Sequence, residues 1–82
     1  MPHSDRSLAH LVPGQEARIV AINAEEALHH RLTAMGFRAG RALQLIRRGA
    51  FRGPLHVRVG STDVIIRRRD AQSIEIAAAQ PA

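Results

Sequence analysis

No cysteine occurs in the 82 residues. Disulfides, zinc–thiolate sites, iron–sulfur clusters and cysteine nucleophiles are therefore excluded. Lysine is absent as well, and all twelve basic residues are arginine. A Walker-type phosphate loop needs a lysine to reach the nucleotide phosphates, so this chain builds none. Trp and Tyr are missing, and only Phe37 and Phe51 represent the aromatics. Single-stranded nucleic acid is gripped by aromatic platforms that stack its bases, and these are nearly lacking. No apolar run approaches the roughly 18 residues of a membrane-spanning helix. The beginning, "MPHSDRSLAHLV", lacks the apolar run of about 7–15 residues that marks a signal peptide. A cytoplasmic protein is predicted, with nothing inserted in the membrane.

What is present suits one small domain covering residues 1–82, with an ordered core over about 8–76. Apolar residues make up 45% and charged residues 23%, which is globular rather than disordered composition. The formal charge of +5 favours acidic partners: nucleic acid, anionic lipid headgroups or an acidic protein face.

Along the chain, "SLAHL" predicts one helical turn capped by Ser7, after a loose segment 1–6. "VPG" at 12–14 predicts a turn. "EARIVAI", 16–22, predicts a strand with Arg18, Val20 and Ile22 on one face and Ala17, Ile19 and Ala21 on the other. Asn23 is placed to cap a helix that runs to about Met35, with Gly36 following it. A second tight turn falls at 39–40. "RALQLIRR", 41–48, then predicts a strand with Leu43 and Leu45 on one side, and "GAFRGP", 49–54, a loop. "LHVRV", 55–59, alternates with Leu55, Val57 and Val59 inward. "GSTD", 60–63, predicts a hairpin turn and "VIIRRR", 64–69, a strand. Asp70 would cap a short turn before a last strand "SIEI", 73–76, and a frayed tail. Five short strands and one helix of about three turns predict a mainly β fold: a small SH3-like or OB-like barrel whose helix plugs or covers one end.

The densest chemistry lies in "EEALHHRLTAMGFRAG", residues 25–40. At about 100° per residue, Ala24, Leu28, Leu32 and Met35 share a stripe that Ala27 and Ala34 widen. Glu25, Glu26, His29, His30 and Thr33 take the solvated face. Arg31 falls within the apolar arc, so its stem should pack at the core edge with its head on a carboxylate or on carbonyls. The alternative is an arginine at a partner surface. Glu25–His29 and Glu26–His30 have the i,i+4 spacing that metal ligation on a helix needs, and Glu26–His29 has i,i+3. Adjacent His29 and His30 diverge by about 100°, so one ion does not easily take both from one helix. Weak zinc or ferrous-iron binding is the most that Glu25, Glu26, His29 and His30 support; two solvated histidines are the simpler reading.

No nucleophile, base and orienter stand together. Serines 4, 7, 61 and 73 have no motif around them, so no enzyme is predicted. His56 reads as solvated on its strand, and Asp63 and Asp70 read as turn or cap residues. Arg67–Arg69 and Arg47–Arg48 form basic runs, but charge alone carries a nucleic-acid reading, and nucleic acid is not the expected partner. Phe37 and Phe51, where exposed, would be apolar anchors for a partner; core packing competes, more strongly for Phe37.

Taken as one pattern, "LAHLVPGQEARIVAI", "RLTAMGFRAG", "GPLHVRV" and "DVIIRRRDAQSIEI" resemble the FeoA family of ferrous iron transport proteins. The most specific piece is Arg-Leu-x-x-Met-Gly-Phe-x-x-Gly, residues 31–40. Ala39 stands where the family often has proline, and the double histidine is outside the motif. The resemblance implies an SH3-like barrel with an inserted helix, with Leu28, Leu32, Met35, Gly36 and Gly40 as its structural motif. It implies a cytoplasmic accessory protein, without catalysis, that binds the cytoplasmic part of the ferrous-iron transporter FeoB at the inner face of the membrane. Arg31, Phe37, Arg38, Arg47, Arg48 and Phe51 are the partner-facing candidates; a homo-oligomer is compatible with the same reading. The alternatives are a small basic barrel that binds nucleic acid, and a weak metal sensor akin to the C-terminal domain of iron-dependent repressors.

Overall fold

The alternating aliphatic residues fall on one face of one sheet. In the computed structural model, which describes residues 6–78, six strands follow in order: β1 (Arg6–Ser7), β2 (Glu16–Ile22), β3 (Ala42–Arg48), β4 (Leu55–Val59), β5 (Thr62–Ile66) and β6 (Ile74–Ala78). Across the sheet their order is β1-β6-β2-β3-β4-β5, and every pairing is antiparallel. Ala17 and Ile19, Leu43 and Leu45, Leu55, Val57 and Val59, Ile66, Ile74 and Ile76 are all buried in a single cluster. One face buried from edge to edge around one core requires a strongly curled sheet, which is how a small barrel forms. Among the described residues no pairing joins β5 to β1, so the curl stays open along that seam.

The mainly β fold with one helix of functional length is as the sequence predicts; the details differ at four places. There are six strands rather than five. β1 is two residues long, too short to show alternation, and is held by the pairings Arg6↔Ile76 and Ser7↔Glu75. The strand expected over 64–69 instead begins at Thr62 and ends at Ile66. Arg68–Ala71 forms a short helix, α2, because the chain turns inward there to bury Asp70 and Ala71. Asn23 caps no helix. Its N–H donates to the Ser73 carbonyl at 2.7 Å and its side-chain amide to Glu75 Oε1 at 3.2 Å, so it ties β2 to the start of β6. Finally, β2 carries a register shift between Ile19 and Ala21, which is how a two-sided apolar strand resolves: Val20 is left exposed while Ile22 returns to the core edge.

Ser7 caps as expected. Its Oγ accepts from the Ala9 N–H at 3.3 Å and starts a 3-10 turn over Leu8–His10 that buries Leu8 and Ala9. The loose segment expected over 1–6 lies, apart from Arg6, outside the described residues, as do residues 79–82 of the expected frayed tail; Ala77 and Ala78 continue β6.

Helix α1 (Glu26–Ala34) shows why the motif at 31–40 has its spacing. The Gly36 N–H donates to Thr33 O and the Phe37 N–H to Leu32 O, both at 3.0 Å. These two bonds make a Schellman ending, which needs a left-handed residue at Gly36, where φ is +108°. The same ending sets Phe37 beside Leu32, and both are fully buried. The apolar stripe is narrower than the wheel suggests. Leu32 is buried and Leu28 and Met35 are partly so, but Ala27 and Ala34 are exposed.

Candidate functional site

Arg31 and Asp70 meet across the two helices, Nη2 to Oδ2 at 3.3 Å. The guanidinium head does rest on a carboxylate, but the burial is reversed from expectation. The Arg31 side chain is 61% exposed and that of Asp70 only 11%. Asp70 is thus no surface cap: it is the one buried charged residue among those described, and Arg31 answers it. Shallow grooves flank the pair. One is lined by Leu32, Met35, Ile65, Ile66 and Arg67, the other by Asn23, Leu28, Arg69 and Ser73.

The other candidates scatter. His29 and His30 open on a groove with Thr33, Ala34 and Arg38, whereas Glu25 faces the groove beside Leu28. Glu25 occupies the N-cap position of α1 without a side-chain cap bond, and Glu26 is exposed in the first turn. Among the described residues no three His, Asp or Glu converge as a metal would require. Phe37 is fully buried, so as a partner-facing residue it is corrected: it is core. Arg48 is half-buried, with Nη1 donating to the Leu11 carbonyl at 2.5 Å, so it staples the N-terminal turn to β3 rather than projecting. Arg38 and Arg47 are exposed, and Phe51 is wholly so.

One cluster was missed from sequence. Asp63 receives Arg58 Nε at Oδ1 (2.7 Å) and Arg58 Nη2 at Oδ2 (3.2 Å), and His56 Nε2 lies 3.0 Å from the same Oδ2. The Arg58 hydrogen bonds first, then that of His56, hold the Asp63 carboxyl down at about 2. Asp63 is therefore not a turn residue and His56 is not simply solvated. The available signal was the two-residue turn Gly60–Ser61, which sets Arg58 directly across from Asp63. The cluster is a fully matched ion group on the sheet's outer face. Nothing in it offers a nucleophile beside a base.

The FeoA domain matches residues 6–78, nearly the whole chain. The chain belongs to the FeoA family. It is 30% identical over 69 residues to an Fe(2+) transport protein A/Fe(2+) transporter FeoB fusion protein of Porphyromonas gingivalis. That alignment covers 84% of this chain but 8% of the relative, so the chain spans under a tenth of the fusion's length. Among solved structures, iron(II) transport protein A of Clostridium thermocellum matches with a TM-score of 0.85 at 30% identity, covering 89% of this chain and 45% of that one. FeoA of Stenotrophomonas maltophilia, solved in complex with zinc and described as a prokaryotic SH3 domain protein, matches at 0.77 and 25% identity over 88% of this chain and 89% of its own. FeoA is thus linked to ferrous iron transport, and the SH3-like fold predicted from the sequence is the fold of the family. No helix among the described residues of this FeoA chain is long and apolar enough to cross a membrane.

Proposed function

We propose that this FeoA protein is an accessory of ferrous-iron uptake that binds the cytoplasmic part of the transporter FeoB and regulates it by contact, without catalysis. The observation that carries this is the Porphyromonas relative, in which the A protein and FeoB are one polypeptide. Fusion holds two modules at high local concentration, and it is useful where they otherwise meet as separate chains. The surface chemistry is consistent with such a role: matched ion groups, shallow grooves and exposed arginines, Arg38 and Arg47 among them, suited to an acidic face.

The test is titration calorimetry of the chain against the soluble cytoplasmic domain of FeoB, with and without guanine nucleotide, in the absence of lipid. Saturable binding that weakens on charge reversal of Arg47 is expected. No binding in either nucleotide state, together with normal ferrous-iron uptake in a deletion strain, would sink the reading. A direct metal contact through Glu26 with His29 or His30 rests on helix spacing alone, and calorimetry with zinc or ferrous iron measures it directly.

A further inference from the structure

The hairpin of β3 and β4 ends in a loop built to hold one side chain away from the protein. Phe51 is 102% exposed, more than any other large apolar residue described. Its backbone is left-handed, φ 55° and ψ 45°, and Arg52 follows at φ 62°. Two successive non-glycine residues in that region are strained, and the surrounding loop must enforce them. It does so by closing on itself: Gly49 N–H donates to Pro54 O at 2.8 Å and Gly53 N–H to Ala50 O at 2.9 Å. A Cβ on Gly49 would lie 2.8 Å from Pro54 O, and one on Gly53 2.9 Å from Ala50 O, so only glycine permits the closure. The strain holds a phenyl ring in water, where it gains nothing by itself.

The sequence around that ring carries charge of one sign. Residues 27–62 contain seven arginines and no Asp or Glu. Exposed Arg47 lies on the strand leading into the loop, and exposed Arg52 within it. Arg47, His56 and Ile65 form a cross-strand row on the sheet's outer face, and Ile65 is 60% exposed. The nearest acid in that sheet, Asp63, is already matched by Arg58 and His56. A fully exposed phenyl ring at a loop tip, with exposed arginines in and beside the loop and no Asp or Glu in the surrounding sequence, complements one kind of surface well. The ring enters an acyl boundary while the arginines stay with phosphates. A protein socket would have to be deep to enclose a ring with no neighbours; a lipid surface adapts to it.

We propose that the 49–54 loop is an interfacial membrane anchor, in which Phe51 enters the headgroup region of an anionic bilayer and Arg47 and Arg52 bind lipid phosphates. No segment spans the membrane in this arrangement. The proposal goes beyond transporter binding and does not rest on it.

Because the chain has no Trp or Tyr, Phe51→Trp creates a single indole reporter at an exposed position. Its emission should shift to the blue with phosphatidylglycerol-containing vesicles at about millimolar lipid, and not with pure phosphatidylcholine vesicles. In vesicle sedimentation, Phe51→Ala should weaken partitioning about tenfold. Arg47→Gln and Arg52→Gln should each weaken it about fivefold, and added salt should weaken the wild type too. Circular dichroism should show all four variants folded, since none of these side chains is buried. No blue shift, or a shift equal in charged and neutral vesicles, overturns the proposal. A shift produced only by the soluble FeoB domain also overturns it, in favour of a protein socket. The lipid-free calorimetry described above reads transporter binding separately, so either idea can fail alone.

Discussion

Among the described residues two arginine–aspartate pairs form, and the two regions that carry them are built on opposite plans. In the helical region, Arg31 and Asp70 join α1 to α2, with the carboxylate nearly buried and the arginine in water. In the sheet region, Arg58 and Asp63 face each other across the β4–β5 turn, both at the surface. The sheet region is held by backbone ladders on a continuous buried face, and its ion pair is laid on top. The helical region has no ladder. α1 is attached through the buried Leu32, the partly buried Leu28 and Met35, the Schellman ending, and the Arg31–Asp70 pair. Chemically similar pairs should therefore matter differently: the first closes a gap in the fold, while the second tunes a surface that is already held.

The largest effect that would break this contrast is at Leu32. Truncation to Ala should cost about 2–5 kcal/mol, since the side chain is fully buried. The contrast also says where the loss appears. In native-state hydrogen exchange, Leu32→Ala should release the amides of α1 well before those of β3 and β4. Val57→Ala, in the middle of the sheet, should lower protection everywhere together. Uniform loss of protection in Leu32→Ala would mean that α1 and the sheet form one cooperative unit and that the two plans are not distinct.

A smaller effect is expected from Arg31→Met, which keeps the stem and removes the charge. It leaves the Asp70 carboxylate short of its partner in a largely buried site. The guanidinium is 61% exposed, so water replaces part of what is lost, and a cost of about 1 kcal/mol is expected. Adding Asp70→Asn should recover part of it, because the uncompensated charge is then gone. Denaturant melts of the two single variants and the double variant measure that coupling. Additive losses would show that the pair is incidental.

The sequence made some of this legible and hid the rest for identifiable reasons. Period-two alternation placed Leu43, Leu45, Leu55, Val57 and Val59 inward, and all are buried. The helix stripe found Leu32, and the glycine after it marked the helix end that delivers Phe37 to the core. Two-residue β1 had too little pattern to read. The run Arg67–Arg69 looked like strand because its charge says nothing of direction; what turns the chain is the burial of Asp70 and Ala71, a tertiary demand. The two ion pairs went unread for different reasons. Arg31 and Asp70 are 39 residues apart, and Arg58 and Asp63 pair only because a two-residue turn fixes their register. Of the partner-facing candidates, Phe37 was the one for which core packing competed most strongly, and its full burial decides for the core; Arg48 looked like Arg47 in sequence, and only its bond to the Leu11 carbonyl sets the two apart.

The smallest effect, and the sharpest test of the second plan, is at Asp63. Hydrogen bonds from Arg58 and then His56 hold its carboxyl at about 2, below the ordinary value of about 3.9 in an unfolded chain. A group depressed in the folded state adds stability above its unfolded value, and that contribution is lost as pH falls through the folded one. Asp63→Asn should therefore melt slightly below the wild type at pH 7, and the two curves should converge between about pH 4 and pH 2. Because the pair is at the surface, salt should narrow the gap at pH 7 as well. A gap at pH 7 that matched the loss in Arg31→Met, or that ignored salt, would place Asp63 among the interactions that hold the fold, and the distinction between the two regions would fail there.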